Sequence, residues 1–254
     1  VQRAGLKRLA IGAGSAGAII LAILIATAGS GPAHKIRGHT KSATDAPAQI
    51  SALVAGLPQR ADVLGARSAP VTLQYFGDLQ CPFCREFSLG ALPSIVQRWV
   101  KTRELKIEYL SLETATRQPE VFRNQQVAAL AAGRQNRMWD FVALFYREQR
   151  QEGSGYVTES YLQKLAQQVP GLDLSRWMGD RSDPALVSQL ASDSRAAERA
   201  GVTGTPSFLI GRTGDASRKL HSSSLTDPSS FDAAIERLLH TRAPQRGSGP
   251  PTAR

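Results

Sequence analysis

The sequence holds two cysteines, Cys81 and Cys84, separated by Pro82 and Phe83. At that spacing two sulfurs meet within one helical turn, and the chemistry open to them is reversible dithiol–disulfide exchange. Other uses of such a pair are poorly served. A zinc site takes about four ligands, and the histidines His34, His39, His221 and His240 offer no paired spacing, so no metal is expected. A purely structural bridge across so short a loop removes little chain entropy. A peroxidase of the usual kind would carry a separate resolving cysteine. In the redox reading Cys81 stands at a helix N-cap, where unpaired N–H groups and the helix dipole favour a thiolate. Pro82 opens the helix. Phe83 adds no charge. Cys84, one turn in and more buried, resolves the mixed disulfide.

These residues need elements to hold them. Residues 71–76 are β-rich and alternate, so a strand leads into the cysteines. After them Phe83, Phe87, Leu92, Ile95, Val96, Trp99 and Val100 fall on one helical face, with a kink predicted at Pro93. Residues 62–64 suggest a short edge strand and 105–110 a further strand. Helical spacing then runs through 121–135, 138–151, 161–169 and 184–200, with Asp173 capping a short helix around Trp177 and Asp183-Pro184 starting the last. Trp99, Trp139 and Trp177 fit packing roles. Strands return at 206–210 and 218–221, and an amphipathic helix at 229–239. Thr205-Pro206 opens the first of these strands; a plain turn explains it as well as a special position does. The order gives an α/β fold, a βαβ half and a ββα half in one mixed sheet, with inserted helices at about 119–201.

The formal charge is +10. Residues 1–65 carry seven Lys/Arg against two Asp/Glu, residues 242–254 three Arg and no acid, and residues 66–241 hold 21 bases against 19 acids. A nearly neutral folded part argues against nucleic acid. Basic segments beside an apolar run suit a lipid bilayer instead. Arg3, Lys7 and Arg8 precede an uncharged stretch centred on residues 19–25. Residues 1–8 are therefore read as a cytoplasmic basic end and 9–31 as a transmembrane anchor. The small residues 26–28 keep a cleaved signal peptide open. Residues 32–49 read as a flexible linker, 50–241 as the folded domain, and 242–254 as a disordered tail.

The stretches 56–59, 64–65, 69–73, 78–84 and 201–206, together with the Ala-rich residues 129–132 and Trp139, resemble the DsbA-like thioredoxin-fold oxidoreductases, and within them the bacterial membrane-anchored branch. The resemblance covers about residues 50–240. It implies a thioredoxin fold with Cys81 and Cys84 catalytic, and a cis Thr205–Pro206 bond beside Cys81 whose loop aligns an extended substrate chain. Pro82, Phe83 and Asp78 are supporting residues, and no cofactor is implied beyond the redox-active disulfide. Many relatives carry a carboxylate six positions before the first cysteine. That position is Tyr75 here, which leaves proton transfer at Cys84 to water or another residue. Asp78 matches the family pattern, with a register that suggests a surface or loop position.

The implied function is disulfide formation in exported cysteine-containing proteins, with a separate membrane redox partner for recycling. The alternatives are a reductase or isomerase fed by a membrane reductant, and a tethered chaperone or binding module without turnover. The expected place is the bacterial cell membrane, with the catalytic domain extracytoplasmic, or secretion after signal cleavage. A monomer is expected, since no heptad repeat appears.

Overall fold

The structure, a computed structural model, describes residues 53, 54 and 56–241. The expected anchor at 9–31, the linker at 32–49 and the tail at 242–254 lie outside the described residues, among which no helix is long and apolar enough to cross a membrane.

Strands β1 (Gln59–Arg60) and β2 (Val63–Leu64) pair antiparallel. Strands β3 (Val71–Gly77) and β4 (Leu105–Ser111) form a parallel pair at the centre. Strand β5 (Ser207–Arg212) runs antiparallel to β3, and β6 (Arg218–Leu220) antiparallel to β5. The six-stranded order is β1-β2-β4-β3-β5-β6. Residues 63–64 thus form a strand, but β1 pairs outside it, so β2 is not the edge. Every residue of β3 except Gln74 is buried, the near-continuous apolar pattern of a strand covered on both faces. The register sets Tyr75 beside Tyr109 and Phe208, and Gly77 leaves room for the Tyr109 ring. A side chain at Gly77 would bring its first carbon within 2.7 Å of that ring.

Helix α1 (Pro82–Leu89) follows β3. Phe87 is buried and packs 5.0 Å from the Tyr75 ring. Its burial stabilises the fold by about 2 kcal/mol. Phe83 departs from the expected core face. It lies in the first turn, beyond the end of β3, and is 59 % exposed. The kink also falls elsewhere. Helix α1 stops at Gly90, and the chain restarts as α2 (Ala91–Ile95), continuing into a π-helical turn, Val96–Val100. A side chain at Gly90 would meet the Glu86 carbonyl oxygen at 2.7 Å and the Thr226 Cα at 2.8 Å. The Ala91 N–H leaves the helical ladder to donate to the Leu225 carbonyl at 3.0 Å. Pro93 then sits in the first turn of α2, where its missing N–H costs nothing.

The insertion comprises α3 (Pro119–Gly133), α4 (Met138–Glu148), α5 (Glu159–Gln168), α6 (Leu174–Asp180) and α7 (Pro184–Ala200). Asp173 accepts from the Arg176 N–H and Asp183 from the Ala185 N–H, as the sequence predicts, and Thr158 caps α5 likewise. Each such cap is worth about 1 kcal/mol. Helix α8 (Ser229–His240) closes the described chain and packs on β3 and β5. The three tryptophans do pack with their N–H groups satisfied: Trp99 donates to Asp232, Trp139 to the Asp62 carbonyl, and Trp177 to the Ala128 carbonyl. The larger core cluster holds Tyr75, Tyr109, Phe87 and Phe208. A smaller one joins Phe76, Leu110 and Leu209 to Ala197 of α7.

Candidate active site

The cysteines occupy the junction the sequence expects. Strand β3 ends at Gly77, and a turn closes when the Cys81 N–H donates to the Asp78 carbonyl at 3.0 Å. Cys81 is the N-cap of α1, with ψ of 121°, and Pro82 opens the helix. No side chain caps this N-terminus, which leaves its first-turn N–H groups for the Cys81 sulfur. Both thiols are free. Cys81 keeps 3 % of its surface accessible and Cys84 none.

Their acidities diverge. A hydrogen bond with the Cys84 side chain is the largest influence on Cys81. Burial opposes it, while Thr205 and the backbone of Cys84 and Phe83 assist, and the thiol is brought down to about 6. Cys84 is pushed well above the ordinary thiol range, first by burial, then by Cys81. At neutral pH the pair therefore holds one thiolate and one thiol.

The Thr205–Pro206 bond is cis, and the loop stands beside Cys81 as the resemblance implies. The Cys81 thiol donates to the Thr205 carbonyl at 3.3 Å. That contact serves the protonated sulfur, whereas the Thr205 side chain favours the ionised one. From Thr205 a groove of about 470 Å³ runs past Gly204, Pro206, Lys219 and His221. Phe83 presents its ring to solvent next to the pair.

Of the surface or loop position expected for Asp78 the structure gives the loop, in the turn after β3, and corrects the surface, because the residue is fully buried. Its Oδ2 accepts from the backbone N–H groups of Thr114, Ala115 and Thr116. Its Oδ1 accepts from the Gln80 N–H, the Thr116 hydroxyl and the Gln125 amide. A buried carboxylate survives only with donors of this kind. Gln80 belongs to the turn itself and Gln125 to α3, and the others come from the loop after β4, which begins as the Leu112 N–H donates to the Gly77 carbonyl. The same loop bonds the Thr114 hydroxyl to the Thr205 hydroxyl. Asp78 thus ties together the turn before Cys81, the loop after β4 and, through Thr114, the cis-proline loop.

Sequence reasoning missed Thr114, Thr116 and Gln125, and also Gln149, whose amide donates to the carbonyls of Leu79 at 2.8 Å and Cys81 at 3.1 Å. Tyr146 was missed too. Its hydroxyl donates to the Asp78 carbonyl at 3.2 Å and receives the Tyr75 hydroxyl at 3.2 Å. One available signal was the polar pair Gln125–Gln126 inside an otherwise apolar stretch. Among the described residues no group of three or more His, Cys, Asp or Glu side chains is placed to hold a metal ion.

Residues 59–235 match the family model described as Thioredoxin. The chain is similar to the probable disulfide bond formation protein D of Bacillus anthracis, 24 % identical over 154 residues, which are 58 % of this chain and 68 % of that protein. Its fold resembles the crystal structure of oxidised BdbD from Bacillus subtilis, with a TM-score of 0.60 and 21 % identity over 72 % of this chain and 97 % of that one. It also resembles Chlamydia trachomatis DsbA, with a TM-score of 0.58 and 18 % identity over 70 % and 91 %.

Proposed function

For this chain, which belongs to the thioredoxin family as a DsbA-like thiol:disulfide oxidoreductase, we propose that the working direction is oxidation: the Cys81–Cys84 disulfide is passed to the thiols of exported proteins. The observation that carries the reading is the Cys81 thiol brought down to about 6. A stabilised thiolate favours the reduced dithiol, so the disulfide becomes the better oxidant. At pH near 7, ionising one thiol from about 6 instead of its ordinary value stabilises the reduced form by roughly 1.4 kcal/mol, or about 30 mV.

In this reading a substrate thiolate attacks Cys81, which forms the mixed disulfide while Cys84 departs. The substrate chain lies extended along the Thr205–Pro206 loop. Pro82 and Phe83 shape the approach, and Asp78 keeps the turn and the loops in register. The redox-active disulfide serves in place of a cofactor. The sequence holds only these two cysteines, so reoxidation falls to a separate membrane redox partner. The domain works extracytoplasmically as a monomer, tethered by residues 9–31.

Equilibrating the purified protein with glutathione tests the direction. A potential on the oxidising side of about −200 mV, toward the roughly −120 mV of a strong oxidant, supports the reading. A value near about −270 mV makes the protein a reductant.

A further inference from the structure

Cys84 is the sulfur solvent does not reach, and the Tyr75 phenol stands against its residue. Tyr75 stands in register with Tyr109 on β4. Its hydroxyl lies 3.5 Å from the Cys84 carbonyl and 3.2 Å from the Tyr146 hydroxyl, which donates onward to the Asp78 carbonyl. Against the push of burial, the Tyr75 hydroxyl draws the Cys84 thiol down. The Asp78 carboxylate is no base for this sulfur, because both its oxygens are taken up by the donors of the loop after β4, Gln80 and Gln125. Burial pushes Tyr75, Tyr109 and Tyr146 well above the ordinary phenol range. A phenol that stays neutral donates a hydrogen bond to an anion and takes no proton from a thiol.

We propose that Tyr75 is the hydrogen-bond donor that receives Cys84 as a leaving thiolate, its O–H turning to the sulfur from the Tyr146 hydroxyl to which it donates in this structure. This rests on the oxidase reading. A substrate thiol loses its proton to water and attacks the Cys81 sulfur. The new disulfide forms, the Cys81–Cys84 bond breaks, and its electron pair moves to Cys84. Tyr75 turns its O–H to that buried charge and keeps its proton. The second substrate thiol gives its proton to Cys84 and attacks the substrate sulfur of the mixed disulfide, releasing Cys81 as a thiolate. The substrate dithiol is oxidised by two electrons and the protein disulfide reduced by two. The hydrogen bond also makes Cys84 a poorer nucleophile, so the mixed disulfide reverts less often. In the opposite direction Cys84 must lose a proton before attacking, and a neutral phenol gives no help there.

The test compares two steps in the full chain. The first is opening of the oxidised protein by reduced glutathione, in which Cys84 leaves. The second is attack of the reduced protein on oxidised glutathione, in which only Cys81 changes bonds. In Tyr75→Phe, opening slows about tenfold, the worth of one hydrogen bond to a charged group, while the Cys81 attack keeps its wild-type rate. Tyr146→Phe removes the acceptor that competes for the Tyr75 proton, so opening speeds by a small factor while the Cys81 attack is unchanged; it carries the test should Tyr75→Phe not fold. Opening at the wild-type rate in the folded variant overturns the proposal, as does equal slowing of both steps. The glutathione equilibrium of the wild type reports the oxidase reading separately: a reducing potential with opening still slowed in Tyr75→Phe sinks that reading and leaves the role of Tyr75 standing.

Discussion

The mouth of the site and its floor treat the same side chain in opposite ways. At the mouth Cys81 meets an uncapped helix start, the Thr205 loop and the Cys84 thiol, and it ionises at about 6. On the floor, three residues on, Cys84 meets Tyr75 and is shut off from solvent, and its thiol stays protonated well past the ordinary range. Burial acts on both sulfurs. What differs is the balance: at Cys84 burial and the neighbouring Cys81 sulfur outweigh the donors, whereas at Cys81 the Cys84 and Thr205 side chains and the backbone of the helix start outweigh burial. The two sites are also built differently. The mouth is assembled from loops that the Asp78 network holds together. The floor is assembled from the strand register that aligns Tyr75 with Tyr109.

The largest test of this contrast exchanges the sulfurs. Cys81→Ser should reduce thiol exchange to background. Cys84→Ser should still be captured by a disulfide substrate, at Cys81, and then hold it as a mixed disulfide, visible as a band that dithiothreitol removes. Equal behaviour of the two variants would erase the distinction between mouth and floor. Next in size is Asp78→Asn. An amide must turn its own N–H groups toward at least some of the donors from Thr114, Ala115, Thr116 and Gln80. The expected loss is about 3 kcal/mol in urea unfolding. A loss within about 0.5 kcal/mol, typical of a surface substitution, would return Asp78 to the surface role the sequence suggested.

A smaller effect is readable in pH. The folded Cys81 value is depressed, so its stabilisation of the reduced protein is full above the ordinary thiol value and is lost as pH falls through about 6. The reduced protein should therefore lose roughly 1.3 kcal/mol of stability relative to the oxidised protein between about pH 7 and pH 5. Asp193, pushed by burial to about 6, titrates in the same range. It is present in both redox states, so it cancels from the difference. Smallest is Thr205→Val, which removes the hydroxyl from the mouth and leaves the floor alone. The alkylation midpoint of Cys81 should rise by roughly half a unit, about 0.7 kcal/mol.

Much of this arrangement was legible in the sequence, and the part that was not has a common cause. Strand β3, the N-cap position of Cys81 and the caps at Asp173 and Asp183 follow from local periodicity and end chemistry, which a short window contains. The break at Gly90 depends on the backbone of Leu225 and Thr226 pressing against it, so Pro93 looked the stronger breaker. The loop position of Asp78 was legible and its burial was not, because its donors Thr114, Ala115, Thr116 and Gln125 lie far along the chain. Tyr75 was noticed as a departure from the family pattern. The phenol beside it, Tyr146, comes from the inserted helices, and nothing in its own segment points to Cys84.

The most direct test of the central claim is an ultraviolet titration of thiolate absorbance in the fully reduced protein. The account predicts absorbance equal to one thiolate rising with a midpoint of about 6, and no second thiolate until strongly alkaline pH. Two thiolates appearing together near the ordinary value of about 8.5 would contradict it.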